Sequence, residues 1–222
     1  MRSFNVHTGT TVALMSDGIN TDQILPSRFL SHIEKKGFGK FLFANWRYIQ
    51  EEGPDQGKEN PEFPLNYPDR QGASILIAGD NFAGGSSREH AVWALDDFGF
   101  RAVIAGDFND IFYNNTVKNG LLAITLPEDA RQALSQLAGD VEITVNLEEQ
   151  TVTSPDAVYS FEIDPEIKHK LLNGIDDIME TMEFENNITN YEEDWNEFYD
   201  PGAKGTQYAD EAMKSKLEFL GK

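Results

Sequence analysis

The order of apolar and polar positions divides the chain into strands and helices before composition is considered. Residues 3–15 alternate well enough for a strand or hairpin, and Asp17-Gly18 then turns the chain. Ile75–Ala78 is an unbroken apolar run, as expected of a buried strand. A glycine-rich loop follows it, and then a helical pattern with Ala91, Val92, Ala94, Leu95 and Phe98 on one side. Ala102–Ala105 predicts a second buried strand, residues 110–118 a short helix closed by Asn119-Gly120, and residues 121–126 a third strand. Pro127-Glu128-Asp129 opens a helix to about Ala138. Residues 141–145, 151–153 and 159–163 alternate and predict a small antiparallel end. Helical patterns return at 165–173, stopped by Gly174, at 175–182 and at about 188–198. Residues 51–72, rich in Gly, Pro, Asn and charge, read as a loop, and no internal repeat appears. Strands mixed with helices predict an α/β fold with a mixed sheet.

Composition narrows the setting. A chain of 222 residues can bury a full core as one domain, or one domain with appendages. No apolar stretch is long enough to span a membrane, and residues 1–5 lack the apolar core of a signal peptide, so a cytoplasmic protein is expected. The net charge of −20 argues against nucleic acid and against anionic membranes. With no cysteine, the chain has no thiolate nucleophile, no disulfide and no sulfur ligand for zinc or iron. His7, His32, His90 and His169 fit no metal-ligand spacing, so no metal site is expected on this chain. The charge is uneven. Residues 176–200 hold ten acids and no Lys or Arg, which reads as solvated surface. Residues 28–47 carry Arg28, Lys35, Lys36, Lys40 and Arg47 against Glu34 alone, which suits an anionic substrate or a partner face.

The loop between the first buried strand and its helix is the densest in usable chemistry. It reads Gly79-Asp80-Asn81-Phe82-Ala83-Gly84-Gly85-Ser86-Ser87-Arg88-Glu89-His90. Gly84 and Gly85 let a ligand approach the backbone, and a helix start behind them favours an anion. Ser86 to Glu89 also fits a capping box, with Ser86 as N-cap and Glu89 as its partner. A phosphate loop would need a lysine where Gly85 stands, and a nucleophile elbow a second glycine that Ser86 and Ser87 lack. A serine acts as a base only where cations and directed N–H donors stabilise its alkoxide. Arg88 offers that, and a two-point grip on a carboxylate. Such a site suits proton removal beside a carboxylate, but it has no Lewis acid to take off a hydroxyl. Either the reaction is not a dehydration, or the metal sits on another polypeptide.

The whole string resembles the Asn-Phe-Gly-x-Gly-Ser-Ser-Arg-Glu-His-Ala signature of the small subunits of 3-isopropylmalate dehydratase, in the aconitase superfamily. The family often has Gly-Cys where this chain has Ala83-Gly84, and Ala83 is expected at negative φ. A second string, Asn20-Thr21-Asp22-Gln23-Ile24-Leu25-Pro26-Ser27-Arg28-Phe29-Leu30, resembles another signature of the same family. Read without the family, Asn20, Thr21 and Asp22 are turn formers that bond their own backbone. The aromatic segment 37–48 and the stretch 60–66 resemble the insertion of longer bacterial members.

The resemblance implies a three-layer β/β/α swivelling domain over residues 1–198, with 199–222 as a tail carrying a helical pattern at 208–220. It implies Ser86 and Arg88 as catalytic residues, and substrate contacts from Ser87, Arg28, Asp22, Thr21, Asn81 and Gly85. It further implies a large-subunit partner carrying a [4Fe–4S] cluster, with no cofactor on this chain. The implied reaction interconverts 2- and 3-isopropylmalate through isopropylmaleate, in leucine biosynthesis. A relative acting on homocitrate or methylmalate, a stand-alone anion-binding module, and a subunit whose serines only cap a helix are the alternatives.

Overall fold

A computed structural model describes residues 1–30, 35–49, 57–85, 88–182 and 184–194. The chain divides into a compact unit, Met1–Asp177, and a second unit beginning at Ile178. The ammonium of Met1 bonds Gly174 O at 3.0 Å and Asp176 at 3.2 Å, closing the first unit on itself. The expected tail, 199–222, lies outside the described residues.

The first unit begins with β1 (Val6–Leu14), then the one-turn helices α1 (Thr21–Ile24) and α2 (Ala44–Arg47), and the two-residue strands β2 (Tyr48–Ile49) and β3 (Lys58–Glu59). There follow β4 (Ile75–Ala78), α3 (His90–Phe98), β5 (Ala102–Ala105), α4 (Asp110–Asn119), β6 (Leu122–Thr125) and α5 (Glu128–Ser135). The unit finishes with β7 (Glu142–Asn146), β8 (Thr151–Thr153), β9 (Val158–Ser160) and α6 (Pro165–Asn173). Helix α7 (Asp177–Met182) runs into the second unit, which also holds α8 (Glu185–Asp194). Among the described residues no helix is long and apolar enough to cross a membrane.

Seven strands form one mixed sheet in the order β6-β5-β4-β1-β7-β8-β9. From β6 to β1 the pairs are parallel, and from β1 to β9 they are antiparallel. Strand β1 belongs to both halves: Val6–Thr10 pairs with β7, and Thr11–Leu14 with β4. Side chains alternate across a strand, so the central parallel strands β4 and β5 each serve two cores. Ile75, Ile77, Ala102, Ile104, Leu122 and Ile124 share one core with Ile143, Val145 and Val152 of the antiparallel strands. Leu76, Ala78, Val103 and Ala105 share the other with Ala91, Val92 and Leu95 of α3. Helices, parallel strands and antiparallel strands therefore form the three layers of the expected β/β/α fold. Burial of each Leu or Ile contributes roughly 1.5–3 kcal/mol, and cover on both faces is why β4 and β5 read as unbroken apolar runs.

The segment read as a loop has more order than its composition suggests. Strand β3 pairs with β2, and 3-10 turns follow at Pro64–Asn66 and Pro68–Arg70. The polar residues there are the fasteners. Asn66 Nδ2 donates to Arg47 O at 2.7 Å and Asn60 O at 2.9 Å, and Asn60 Nδ2 to Trp46 O at 3.0 Å.

Candidate functional site

Three loops meet at the C-terminal ends of the parallel strands, the end at which open α/β sheets place ligands. The loop after β4 is stitched to the loop after β1 on one side. Asp80 N donates to Asp17 Oδ1 at 2.7 Å, Gly18 N to Asp80 O at 2.8 Å, Ala83 N to Ile19 O at 2.6 Å, and Thr21 N to Gly84 O at 3.1 Å. On the other side it is stitched to the loop after β5. Phe82 N donates to Asp107 O at 3.0 Å, Asn109 N to Phe82 O at 3.1 Å, and Asn81 N to Asp107 Oδ1. Phe82 is buried edge-on against Phe112, which anchors the loop in the core.

These bonds decide the backbone of the loop. Asn81 and Ala83 both adopt left-handed conformations, with φ of 52° and 62°. For Ala83 this corrects the expectation of a negative φ. The strain is held because Phe82 bridges to Phe108 and Gly84 to Asn20, which leaves the residue between them no other course. Gly85, at φ 97°, carries the turn onward and is exposed.

The second motif forms the facing wall. Asn20 caps α1 in a reciprocal capping box with Gln23, at 2.9 and 2.8 Å. This turns Asp22 outward, where its carboxylate accepts from Arg88 Nη1 and joins the two motifs directly. Arg28 is exposed, donates to Asn45 Oδ1 at 2.7 Å and lies over the Phe29 ring. Asp22, Pro26, Ser27, Arg28 and Asn45 line an open pocket of about 280 Å³. Thr21 is 1 % exposed, and its N–H donates to Gly84 O, tying the two motifs together through the backbone. Ser86 and Ser87 lie outside the described residues.

Of the capping box expected at Ser86–Glu89, the Ser86 end lies outside the described residues. Helix α3 starts at His90, with Glu89 at the cap position and no side-chain cap. Glu89 Oε1 instead accepts from Trp93 Nε1 at 3.1 Å and from Asn119 Nδ2 at 2.8 Å. The basic window divides as well. Arg47 is a brace and not an approach residue: its side chain is 13 % exposed and donates to Asn66 Oδ1 and Gly39 O, beside the Phe98 ring. Lys35 lies over the Trp93 ring and 3.9 Å from Glu89, and Lys40 lies over the Phe41 ring.

Residue reading missed Asp17, Asn45 and Asp107. A signal for Asp107 was present in a short recurring string. Ile77-Ala78-Gly79-Asp80 recurs as Ile104-Ala105-Gly106-Asp107, and the register sets Ile77 beside Ile104. The two strands thus end in the same way, side by side. Among the described residues no group of His, Asp and Glu converges as a metal site.

Comparison with known proteins gives the family. The Aconitase C-terminal domain family matches residues 1–129, and a LeuD_N family matches residues 133–165. The 3-isopropylmalate dehydratase small subunit of Streptococcus sanguinis is 55% identical over 192 residues, 86% of this chain and 96% of that protein. Its counterpart in Streptococcus suis is 53% identical over 193 residues, 87% of this chain and 96% of that one. A crystal structure of 3-isopropylmalate dehydratase (leuD) from Methanocaldococcus jannaschii shares the fold, with a TM-score of 0.62 and 21% identity over 84% of this chain and 99% of that one. On the strength of these matches, the chain belongs to the family of 3-isopropylmalate dehydratase small subunits.

Proposed function

We propose that this chain is the small subunit of a 3-isopropylmalate dehydratase. The enzyme interconverts 2- and 3-isopropylmalate by loss and return of water through isopropylmaleate, a step of leucine biosynthesis in the cytoplasm. The observation that carries the reading is the Arg88–Asp22 pair, which joins the two motifs into one wall beside a polar pocket. The identity of 55% to a named small subunit, over nearly its whole length, supports the same substrate.

Each residue has a chemical task in this reading. Arg88, oriented by Asp22, grips a substrate carboxylate, using the remaining donors of its planar fork. Arg28 adds a second cation for the other carboxylate of the diacid. Asn81, Gly85 and Ser87 line the approach, and Ser86 moves the proton at the carbon beside the carboxylate. Holding that carboxylate on guanidinium groups lowers the cost of the developing negative charge.

Iron–sulfur ligation needs thiolates, and this chain has none, so its residues do not fit a cluster. A [4Fe–4S] cluster belongs on the large-subunit partner, where it supplies the Lewis acidity for the departing hydroxyl. The test is reconstitution with a cluster-bearing large subunit, assayed on isopropylmalate, homocitrate and methylmalate. Turnover with isopropylmalate preferred is the expected result. Preference for another diacid would move the chain to a related hydro-lyase, and nucleotide or phosphate binding by an inactive chain would favour the anion-binding alternative.

A further inference from the structure

Arg131 is the one charged side chain in the core among the described residues, at 3 % exposure. It stands on α5, outside both motifs. Its Nε donates to Leu126 O and its Nη1 to Ala78 O, each at 3.0 Å, while Nη2 donates to Asp80 Oδ1. Ala78 ends β4 and Leu126 follows β6, the strands on either side of β5. The guanidinium therefore ties two strand ends across the end of a third. Gly106, just beyond β5, leaves the room for this: a Cβ there would lie 1.8 Å from Asp80 Oδ1 and 2.6 Å from Arg131 Nη2.

Stability alone does not call for a cation here: the guanidinium satisfies the carbonyls of Ala78 and Leu126, but its burial carries a desolvation cost that offsets the gain. Geometry does. A planar fork with fixed donor angles sets three acceptors in one relation, which a flexible ammonium cannot do. One acceptor, Asp80, opens the glycine–serine loop, and its backbone is already tied to Asp17 and Gly18.

We propose that Arg131 is a positioning residue for the reaction. By fixing Asp80 and the ends of β4 and β6, it sets where the loop leaves the sheet, and so where Asn81, Gly85 and Arg88 stand toward substrate. The kinetic part of its test rests on the function proposed above, since small misplacements of reacting groups are costly in rate.

The experiment compares wild type, Arg131→Met, Arg131→Lys and Asp80→Ala in the complex with the large subunit. It also follows amide hydrogen exchange in the small subunit alone. Asp80→Ala and Arg131→Met are expected to lower kcat by about 10- to 100-fold while KM changes little. Arg131→Lys is expected to recover part of the loss. Exchange should quicken at residues 79–85 and hold steady in β7, β8 and β9. If Arg131→Met does not fold, Asp80→Ala carries the test, because its half-exposed carboxylate can be removed without opening the core. Wild-type kcat and wild-type exchange at 79–85 in Asp80→Ala would overturn the proposal. Exchange that quickens equally in β7, β8 and β9 would also overturn it, as general loosening. An inactive wild-type complex would count against the functional reading instead, and the exchange pattern would still decide the role of Arg131.

Discussion

At Ala83 the backbone and the side chain pull in opposite directions. The left-handed conformation costs an alanine about 1–2 kcal/mol, which glycine avoids. Its buried methyl returns roughly 0.8 kcal/mol, and alanine also restricts the unfolded chain by about 0.4–1 kcal/mol relative to glycine. Ala83→Gly is therefore expected within about 1 kcal/mol of wild type in denaturant unfolding, whereas Ala83→Val should cost more than about 2 kcal/mol, from strain and overpacking together. A second residue couples the fold to pH. Burial holds the His7 imidazole below its ordinary value of about 6.5, with Arg101 and Arg2 adding to the effect, and its Nε2 meets Ser74 Oγ at 2.7 Å. The unfolded chain binds the proton first as pH falls. The contribution of His7 is thus full above pH ~6.5 and is lost as pH drops through the lowered folded value. Wild type should lose more Tm than His7→Asn between neutral and mildly acidic pH; equal losses would show that His7 is not coupled to folding. At this scale the motif residues were legible, because their types and spacing are visible in the chain. The φ of Ala83 was not, since it is imposed by Ile19, Asn20 and Phe108, which are distant in sequence.

Among the elements, the regular ones follow from pattern and the irregular ones from contacts. Strands β4 and β5 and the helices α4 and α6 were legible because apolar runs and their Gly stops are local signals. The start of α3 was not: the capping string was sound, but Trp93 and Asn119 claim Glu89. The basic window shows the same limit. Five cations in one window say nothing about which is tied to backbone carbonyls in the folded chain. Arg47→Ala should cost about 1–3 kcal/mol of folding stability, because it leaves partly buried acceptors on Asn66 and Gly39 without that donor. Neutralising Lys35 and Lys36 together should shift stability by less than about 1 kcal/mol. It should instead raise the apparent KM or weaken assembly with the large subunit at low ionic strength. Kinetics and assembly unchanged at low salt would make that pair ordinary surface.

On the scale of the whole molecule, the three layers place both motifs at one end of the parallel strands. One motif follows β1 and the other follows β4, the two strands that pair in parallel. The α/β class was legible in the alternation of elements, whereas the layering depends on β1 being shared between two half-sheets, which no local pattern encodes. This chain has no cysteine, so on the proposed function the cluster is the partner's, and the purified subunit treated with iron and sulfide should stay colourless and turn over no isopropylmalate. Turnover without any partner would end the two-subunit account. The most direct test of the central claim is solvent deuterium exchange at the substrate carbon in the reconstituted complex, wild type against Ser86→Ala. If Ser86 moves the proton, the variant should fold, assemble and exchange roughly 10²–10⁴-fold more slowly. Exchange at the wild-type rate in Ser86→Ala would place the base elsewhere and contradict the account.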